Sequence, residues 1–505
     1  MSSQPQVAEA LPLQLGTDEQ FKTVRDFLVA ADYFDDAVRR RINSDVPDPT
    51  VAREVDFADA PKDVGDLLTW VLALGQYADK QTVQRFIPDD VQQAMEALGL
   101  LAHGADGRVY SPVFLCPTER LFCAADRWTR PDGSACEMPR DVVYPASSPP
   151  TRRFLQLIPH TPCQRALDIG SGTGIIAMQA ASYAERVWAS DLTSRCRHYA
   201  EFNRRLNGID NLTAIEGDLY EAVGDQVFDR ILAHPPYVPV LKPKWLFHDG
   251  GEDGEQLTRR IIAGLPKHLA PGGLFICDAL GTDREASFEQ RVRDWLGEKQ
   301  EEFDVLLIVR KSYDPREYAS GIALRNQDAA QFDQWLAMFD KLQIAQVLQL
   351  TIAIQRMAEA RRVFTSRRTF GAKENAAMVR WLLEWETGSR SPQAFDLIMQ
   401  QRPAVPASTI MEVRSRPGGD GFTPFEFKVR VNHPFVSESQ VEPWMASLLN
   451  LCNGQRTSAE LFDIAKHNGW IEAGTPPEKF AALISAFISY GMVEVPAFSL
   501  PPAGE

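Results

Sequence analysis

The chain has 505 residues, of which 44% are hydrophobic and 24% are charged, the balance of a globular protein with enough apolar side chains for several cores. At roughly 150 residues per domain, this length predicts about three domains. The first residues lack the basic and continuous apolar segments of a secretory signal. The most apolar early stretch, residues 67–74, is far shorter than the roughly 20 residues that span a bilayer. We therefore expect a cytoplasmic protein without membrane association.

Cysteine spacing and charge narrow the range of partners. The seven cysteines form no CxxC pair and have no histidine beside them at zinc-ligand spacing, so we expect reduced thiols and no metal site. The net charge is −15, and residues 1–150 hold 14 Lys and Arg against 24 Asp and Glu. An acidic surface repels phosphate backbones and favours basic or neutral partners. Nucleic acid is thus a disfavoured partner, although a local basic groove is compatible with this charge.

Residues 1–145 are predicted to form a helical, winged-helix-like domain for substrate recognition. Apolar residues at helical spacing predict helices over 21–42, 64–76, 82–87 and 89–98. The next segment, LLAHGADGRVYSPVFL, has two apolar runs around a turn and predicts a hairpin. Short helices before a hairpin indicate a winged helix. Because the segment is acidic, packing or substrate presentation is favoured over DNA binding.

A Pro-rich hinge at 144–153 introduces a segment, residues 146–356, in which strands and helices alternate. The predicted strands cover 165–169, 187–190, 212–216, 228–233, 274–279, 303–309 and 344–354. The predicted helices cover 175–183, 194–206, 255–269 and 329–339. This alternation specifies a parallel sheet with helices on both faces, so we expect an α/β fold.

Residues 357–505 are predicted to form an α+β domain with a winged-helix-like end. The segment 360–373 places five basic residues around two Phe, as in a solvated helix or loop face or in a contact for an acidic partner. Residues 414–422 are predicted to be a loop or linker and 425–431 a strand. For the rest, the pattern predicts helix, turn, helix, helix and strand.

The segment ALDIGSGTG (166–174) carries the main chemical signal. Its glycines lie between a predicted strand and helix, where glycine lets a ligand approach the turn closely. The third glycine comes one residue earlier than in a dinucleotide-binding turn, and Asp168 ends the strand. A carboxylate there suits the ammonium and sulfonium of S-adenosylmethionine better than it would suit a dinucleotide. The predicted cofactor turn comprises Gly170, Ser171, Gly172, Thr173 and Gly174.

Acidic residues also end the next two predicted strands. Asp191, directly before Leu192, ends the second strand, where a carboxylate can accept both ribose hydroxyls. Asp218 ends the third, where it can accept from the adenine amino group while Leu219 packs on the ring. Together with HPPY after the fourth strand, the set predicts S-adenosylmethionine as the cofactor. The alternative is that the glycines and acids are structural only.

Residues 166–239 resemble the class I methyltransferases. The motif AHPPYVP resembles that of the NPPY group, which includes release-factor glutamine methyltransferases, small-domain ribosomal RNA guanine methyltransferases and amino-methylating DNA enzymes. Residues 247–273 resemble the segment after this motif in the glutamine and RNA branches. The resemblance implies a Rossmann-like, seven-stranded sheet over 146–356, with S-adenosylmethionine as the methyl donor.

The resemblance also implies roles for the HPPY residues. In the NPPY group an Asn or Asp oxygen and the next backbone carbonyl accept the hydrogens of a planar amino group, on which the aromatic residue stacks. Carried over, His234 is the first acceptor, Pro235 supplies the carbonyl, Pro236 completes the motif and Tyr237 stacks. His234 departs from the group, since imidazole has one acceptor nitrogen and can take a proton. It suits an acceptor that must lose a proton to a general base; a structural histidine is the alternative.

Three functions are compatible with these features. The leading hypothesis is methylation of a nitrogen of a protein substrate, because the acidic flank favours basic protein partners. Methylation of nucleic-acid bases is favoured by the NPPY-like motif and by the basic segment 360–373. Tailoring of a small molecule or peptide is the third hypothesis, with a peptide-binding module at the carboxyl end around residues 453–457. His248 and Asp249 are further candidates for the acceptor pocket or for a loop cap, and the oligomeric state is left open.

Overall fold

A computed structural model describes residues 11–42, 61–325, 327–370, 374–419, 421–433 and 435–498. The chain divides into two compact units. The first contains the described residues of 1–155, 160–280 and 322–342, and the second contains those of 156–159, 281–321 and 343–505. The division into three domains stays a prediction. In the described part of the chain, no helix is long and apolar enough to cross a membrane.

The amino-terminal part of the first unit is helical, as predicted. Its helices are α1 (Asp18–Ala30), α2 (Asp35–Ile42), α3 (Val64–Leu68), α4 (Lys80–Phe86) and α5 (Asp89–Ala97). The single helix predicted over 21–42 is divided in two, because Asp32 adopts a φ of +50° and the helical path stops there. A π-helical turn, Thr69–Ala73, continues α3. The capping box of Thr17 and Gln20 begins α1.

Two hairpins come after these helices. The predicted hairpin is confirmed as β1 (Ala102–His103) and β2 (Val109–Tyr110), which pair antiparallel. A second hairpin joins β3 (Val113–Thr118) to β4 (Leu121–Asp126). The winged-helix character of this region stays a prediction.

A parallel sheet forms the centre of the first unit. Its strands are β5 (Cys163–Ile169), β6 (Ala184–Asp191), β7 (Leu212–Glu216), β8 (Phe228–Ala233) and β9 (Leu269–Asp283), in the order β9-β8-β5-β6-β7. Helix α6 (Pro149–Leu157) precedes them, and the helices between them are α7 (Ile175–Ala180), α8 (Ser194–Leu206) and α9 (Gln256–His268). The predicted α/β, Rossmann-like fold is thus confirmed. The strand order reverses at β5, which places a crevice beyond the carboxyl ends of β5 and β8.

Helix α8 joins the sheet to the second hairpin through two side-chain amides. The Asn203 amide accepts from the Ala124 backbone N–H at 2.8 Å and donates to its carbonyl at 3.0 Å. One helical turn later, Asn207 makes the same pair with Phe122, at 2.9 and 2.8 Å. The two amides thus bond the backbone N–H and C=O groups of Phe122 and Ala124 on β4, as a neighbouring strand would.

The remaining elements run to residue 489. The helices are α10 (Phe288–Trp295), α11 (Pro315–Arg325), α12 (Ala330–Lys341), α13 (Ala376–Gly388), α14 (Ala394–Gln400), α15 (Pro443–Leu451), α16 (Ser458–His467) and α17 (Pro477–Ser489). The strands are β10 (Phe303–Tyr313), β11 (Gln346–Arg356), β12 (Thr365–Phe370), β13 (Ile410–Gly418), β14 (Gly421–Val431) and β15 (Phe435–Val441). Five of the seven strands predicted for the α/β segment lie in the first unit, and β10 and β11 lie in the second. Within the second unit the strand order is β13-β14-β15-β12-β10-β11.

The prediction of a solvated helix or loop face for the basic segment 360–373 was wrong for part of it, and residues 371–373 lie outside the described residues. Residues 365–370 form β12, and three of the arginines pair with acids of the same unit. Arg367 holds Asp283 through two bonds of 2.8 Å, Arg368 reaches the buried Glu386 at 2.9 Å, and Arg361 pairs with the buried Asp304. These partners lie 18 to 84 residues away in sequence, so a local charge count could not show that the cations are neutralised within the fold.

Two further predictions for the carboxyl-terminal region are corrected. Residues 414–418 and 421–422 form no loop or linker but the end of β13 and the start of β14, which pair antiparallel, and residue 420 lies outside the described residues. The final predicted strand is replaced by isolated bridges from Glu494 to Ala404 and from Val495 to Phe498. The three predicted helices before it are confirmed as α15, α16 and α17. A winged-helix-like end stays a prediction.

Candidate active site

A cavity of about 480 Å³ lies in the first unit, at the carboxyl ends of the central strands. Its volume is that of a typical small-molecule site, roughly 300–1,000 Å³. All the residues predicted for the cofactor and for catalysis line it, except Asp168 and Gly174. His248 and Asp249 line it as well. The strand topology therefore brings the two halves of the predicted site, which lie far apart in the sequence, to one cavity.

The glycine turn between β5 and α7 is open towards ligands. Gly170 and Gly172 have φ angles of +73° and +52°, and a Cβ on either would meet no atom within 4 Å. Gly174 differs, because a Cβ there would come within 3.1 Å of the Ala200 Cβ. The first two glycines thus leave space above the turn, while Gly174 permits close packing against α8.

Asp168 lies wholly buried beneath this turn. Its Oδ2 accepts from the Ala177 backbone N–H at 3.2 Å, near the start of α7. Its Oδ1 has no hydrogen-bond partner among the described residues, and neither has the Ser171 hydroxyl. Burial raises the pKa of Asp168 to about 8. A carboxyl in this state gains from a nearby cation, which would favour its charged form.

Asp191 and Asp218 mark the neighbouring strand ends. Asp191 Oδ2 accepts from the Gly172 N–H at 2.9 Å and its Oδ1 accepts from the Thr193 N–H at 3.2 Å; burial raises the pKa of its carboxyl group. Each oxygen of a carboxylate can accept a second hydrogen bond. Asp218 Oδ2 accepts from Arg260 of α9 at 2.8 Å. Arg260 was not predicted, since no local pattern connects it with Asp218.

The HPPY residues come directly after β8. The His234 ring stacks on Tyr237 with centroids 5.6 Å apart and lies 5.5 Å from Phe154. Its Nε2 lies 3.7 Å from Asp278 Oδ2, on the adjacent β9. Asp278 is fully buried and was not among the predicted site residues. The sequence feature that could have identified Asp278 is its position as the one acidic residue inside the apolar run LFICDALG.

Aromatic side chains form another part of the cavity wall. Tyr144 and Phe247 line the cavity and stack with centroids 4.7 Å apart. Behind them, Trp128 meets Trp245 edge to face at 5.6 Å. The Leu246 N–H donates to the Arg140 carbonyl at 3.0 Å and ties the two segments together. We name Trp128, Tyr144, Trp245 and Phe247 the aromatic wall.

The loop after HPPY is stabilised from within. Asp249 Oδ2 accepts from the backbone N–H groups of Lys244 and Trp245, and its Oδ1 lies 3.0 Å from His248 Nδ1. Asp249 therefore caps the loop that carries part of the aromatic wall while it also lines the cavity. The loop-cap interpretation of this residue is confirmed, and its place in an acceptor pocket stays a prediction.

The residues present fit S-adenosylmethionine. The open space above Gly170 and Gly172 admits a ligand, and the Asp191 and Asp218 carboxylates offer acceptors for hydroxyl and amino groups. The Ser171 hydroxyl lines the cavity and has no hydrogen-bond partner among the described residues, so it suits the polar end of an amino acid moiety. The HPPY residues line the same cavity.

Comparison with known proteins gives the same assignment. A family model described as "Methyltransferase small domain" matches residues 148–300. The ribosomal protein uL3 glutamine methyltransferase of Bordetella pertussis is 32% identical over 223 residues, covering 38% of this chain and 72% of that protein. The corresponding enzyme of Bradyrhizobium diazoefficiens is 34% identical over 31% of this chain and 54% of its own. A release factor glutamine methyltransferase of Gloeobacter violaceus is 30% identical over 26% and 55%.

The chain thus spans about half the length of two of these relatives and 72% of the third. Among solved structures, the ribosomal protein L11 methylase of Lactobacillus delbrueckii subsp. bulgaricus aligns with 19% identity and a TM-score of 0.25, over 41% of this chain and 76% of that one. The chain belongs to the S-adenosylmethionine-dependent methyltransferases, in the family that includes the uL3 and release factor glutamine methyltransferases.

Proposed function

We propose that this protein transfers a methyl group from S-adenosylmethionine to a nitrogen atom of a protein substrate. The observation that carries the proposal is the single cavity that joins the glycine turn and Asp191 to the HPPY residues. The names of the relatives, which are glutamine methyltransferases of ribosomal protein uL3 and of release factors, support a protein acceptor.

The cofactor half of the site is assigned to the ends of β5, β6 and β7. Asp191 accepts the ribose hydroxyls, Asp218 accepts the adenine amino group and Leu219 packs on the ring. Leu219 has a φ of +53°, and the Ser190 hydroxyl bonds its carbonyl at 3.4 Å, which holds the residue in this conformation. The bound cofactor supplies an electrophilic methyl group on its sulfonium.

The acceptor half is assigned to HPPY and to the aromatic wall. The Pro235 carbonyl and the His234 imidazole orient the acceptor nitrogen, and Tyr237 stacks against the group that carries it. Holding two reactants in line is a large part of catalysis in such a transfer, because it replaces a bimolecular encounter. The stacking of His234 on Tyr237 positions both side chains before substrate arrives.

The other two hypotheses have lost part of their support. Arg361, Arg367 and Arg368 pair with acids within the second unit, so they are not a ready contact for phosphates. The turn at 453–457 ends in a capping box, in which Thr457 and Glu460 bond each other's backbone. Because these residues cap the start of α16, the composition of the turn does not require a peptide ligand as its explanation.

The test is transfer of labelled methyl groups from S-adenosylmethionine by the purified full chain into an extract of its source cells. Treatment with nuclease and with protease separates the acceptor classes. Label that survives nuclease and is lost with protease supports the proposal and identifies the substrate band. Label found only in RNA or in small molecules would overturn it. An Asp191→Ala variant is the control for transfer that does not depend on the bound cofactor.

A further inference from the structure

We propose that the methyl acceptor is a cationic amine rather than a carboxamide, and that Asp278 positions His234 to remove its proton. This inference rests on the proposed function and specifies its substrate. It arises from two features that the glutamine methyltransferase resemblance does not supply: a buried acid beside the histidine, and an aromatic wall beside acidic groups.

His234 has a buried acid as its neighbour. Asp278 is fully buried on β9 and its Oδ2 lies 3.7 Å from His234 Nε2. A carboxylate oxygen at this distance from a ring nitrogen attracts the positive charge of an imidazolium. Phe154 and Tyr237 pack on the ring from two directions and limit its rotation. The pair has the composition of a general base and its orienting acid.

A general base at this position is needed by an amine and not by an amide. A carboxamide nitrogen carries no added proton at neutral pH, and it is held best by oxygen acceptors with two lone pairs. An alkylamine has a reference pKa near 10.4, so at neutral pH it is an ammonium without a free lone pair. It must lose a proton before its nitrogen can attack. His234 in place of Asn or Asp matches the requirement of the amine.

The aromatic rings of the cavity wall also suit a cation. Tyr144 and Phe247 line the cavity, and an ammonium is attracted to aromatic faces within about 6 Å. Asp141 and Asp249, close in sequence to these rings, line the cavity as well. A positive acceptor gains from these groups, whereas a neutral amide does not.

The remaining titratable groups of the cavity wall are two cofactor acids, one further histidine, a thiol and two phenols. They are Asp191, Asp218, His248, Cys196, Tyr144 and Tyr237. His248 faces Asp249 at 3.0 Å and is engaged in the loop. His234 is therefore the group placed to exchange protons at the HPPY end.

The chemical step conserves atoms and electrons. His234 takes one proton from the ammonium, which leaves a neutral amine. The nitrogen lone pair then forms the new bond to the methyl carbon while the carbon–sulfur bond breaks and its electron pair stays on sulfur. The product is a methylated ammonium, and the proton on His234 passes to water.

One experiment identifies the methylated atom. The labelled protein from the full chain is digested, and the modified residue is determined by mass spectrometry. We expect methyl on the nitrogen of a lysine side chain or of an amino terminus. Methyl on a glutamine or asparagine amide would overturn this inference and leave the proposed function intact. Absence of label in any protein would instead overturn the proposed function.

A second experiment does not need the natural substrate. The His234 titration is followed by NMR in the full chain with S-adenosylhomocysteine bound, and n-butylammonium or butyramide, two probes of similar size, are added. We expect saturable shifts at His234 with butylammonium, at an affinity at least tenfold above that of butyramide. Equal affinities, or a preference for butyramide, would overturn the choice of a cationic acceptor.

The role of Asp278 is tested by Asp278→Asn, which keeps the size of the side chain. We expect the titration midpoint of His234 to move to lower pH and kcat to fall by about 10²-fold, with KM for the acceptor little changed. The surface variant Asp225→Asn, in the same unit, is the control. Should Asp278→Asn fail to fold, Asp278→Glu takes its place. The longer side chain displaces the carboxylate relative to His234, so the titration midpoint of His234 should still move. An unchanged midpoint in a folded variant would overturn the positioning role.

Discussion

At the scale of single residues, the proposed cofactor half and the proposed acceptor half of the cavity have different roles. Asp191 receives N–H groups from the glycine turn and from Thr193, so its carboxylate is fixed before a ligand binds. Tyr237 lies at the other end of the cavity, stacked on His234. Substitutions at these two positions should therefore affect different steps.

Asp191→Ala is expected to weaken S-adenosylmethionine binding by at least about 10²-fold, because hydrogen bonds to a charged group contribute about 1.5–3 kcal/mol each. Tyr237→Ala should leave this affinity nearly unchanged and lower turnover by about 10²-fold. Isothermal calorimetry with the cofactor and single-turnover methyl transfer measure the two effects. Unchanged cofactor affinity in Asp191→Ala, or equal loss of affinity in both variants, would contradict these assignments.

Asp168 gives a prediction about pH. Its pKa is about 8 in the folded protein because of burial, against about 3.9 in an unfolded chain. A carboxyl whose pKa is raised on folding contributes most stability below its unfolded pKa, and this contribution is lost as the pH rises towards 8. In the cofactor-free protein, Asp168→Asn should thus be the more stable form at pH 8 by on the order of a few kcal/mol.

This difference should shrink as the pH falls to about 4, where both forms carry a neutral side chain. Urea unfolding of the two proteins between these pH values measures it. A difference that does not depend on pH would show that folding does not raise the pKa of Asp168. The Asn side chain can still accept from Ala177, so the hydrogen bond at the start of α7 serves as an internal control.

The site residues fall into two classes according to what the sequence can show. Asp168, Asp191, Asp218 and HPPY each lie at the end of an apolar run, and the carboxyl ends of parallel strands meet at one edge of a sheet. Asp278 and Arg260 could not be assigned in this way. Their partners, His234 and Asp218, are separated from them by 42 or more residues, and only the packed fold brings them together.

At the scale of elements, helix α8 is the piece that connects the sheet with the amino-terminal hairpin. Asn203 is fully buried and bonds the Ala124 N–H, the Ala124 carbonyl and the Thr173 carbonyl. The same helix begins shortly after Asp191. Its position therefore matters both for the hairpin and for the cofactor half of the site.

Asn203→Ala is expected to lower the free energy of unfolding by about 2–4 kcal/mol, because it leaves backbone groups of β4 and of the glycine turn buried without partners. Asn207→Ala, on the same helix and with the same kind of bonds to Phe122, should have a smaller effect, since Asn207 is only part-buried. Chemical denaturation monitored by circular dichroism compares the two. A smaller loss in Asn203→Ala than in Asn207→Ala would contradict this account.

The elements themselves differ in how far local sequence determines them. Strands β7 and β8 and helix α8 begin and end where predicted, because apolar runs and capping residues mark their ends. The segment 360–373 was assigned wrongly, because a run of arginines looks solvated until the acids Asp283, Asp304 and Glu386 are placed beside it. The paired residues 414–418 and 421–422 were mistaken for a loop or linker for a related reason: Pro and Gly are common beside turns and in flexible segments alike.

At the scale of the whole molecule, charge is the property that bears on partners. The net charge of −15 favours association with basic proteins and opposes association with nucleic acid. Because this contribution is long-ranged, it acts mainly on the rate at which partners meet and is weakened by salt.

For a basic protein substrate, kcat/KM is expected to fall by about tenfold when the salt concentration rises from about 0.05 to about 0.5 M, while kcat changes little. Steady-state methyl transfer at several salt concentrations measures this dependence. Butylammonium binding, which involves one charge inside the cavity, should depend on salt much less. A kcat/KM that rises with salt would indicate an acidic or nucleic-acid partner.

The aromatic wall has a practical consequence. Trp128 and Trp245 lie in contact with each other and directly behind Tyr144 and Phe247, the two rings that line the cavity. A molecule that displaces water from those rings alters the polarity around both indoles, on which their emission depends. The protein thus contains its own optical reporter for the acceptor half of the site, so the arrival of an unlabelled substrate can be timed by stopped-flow fluorescence.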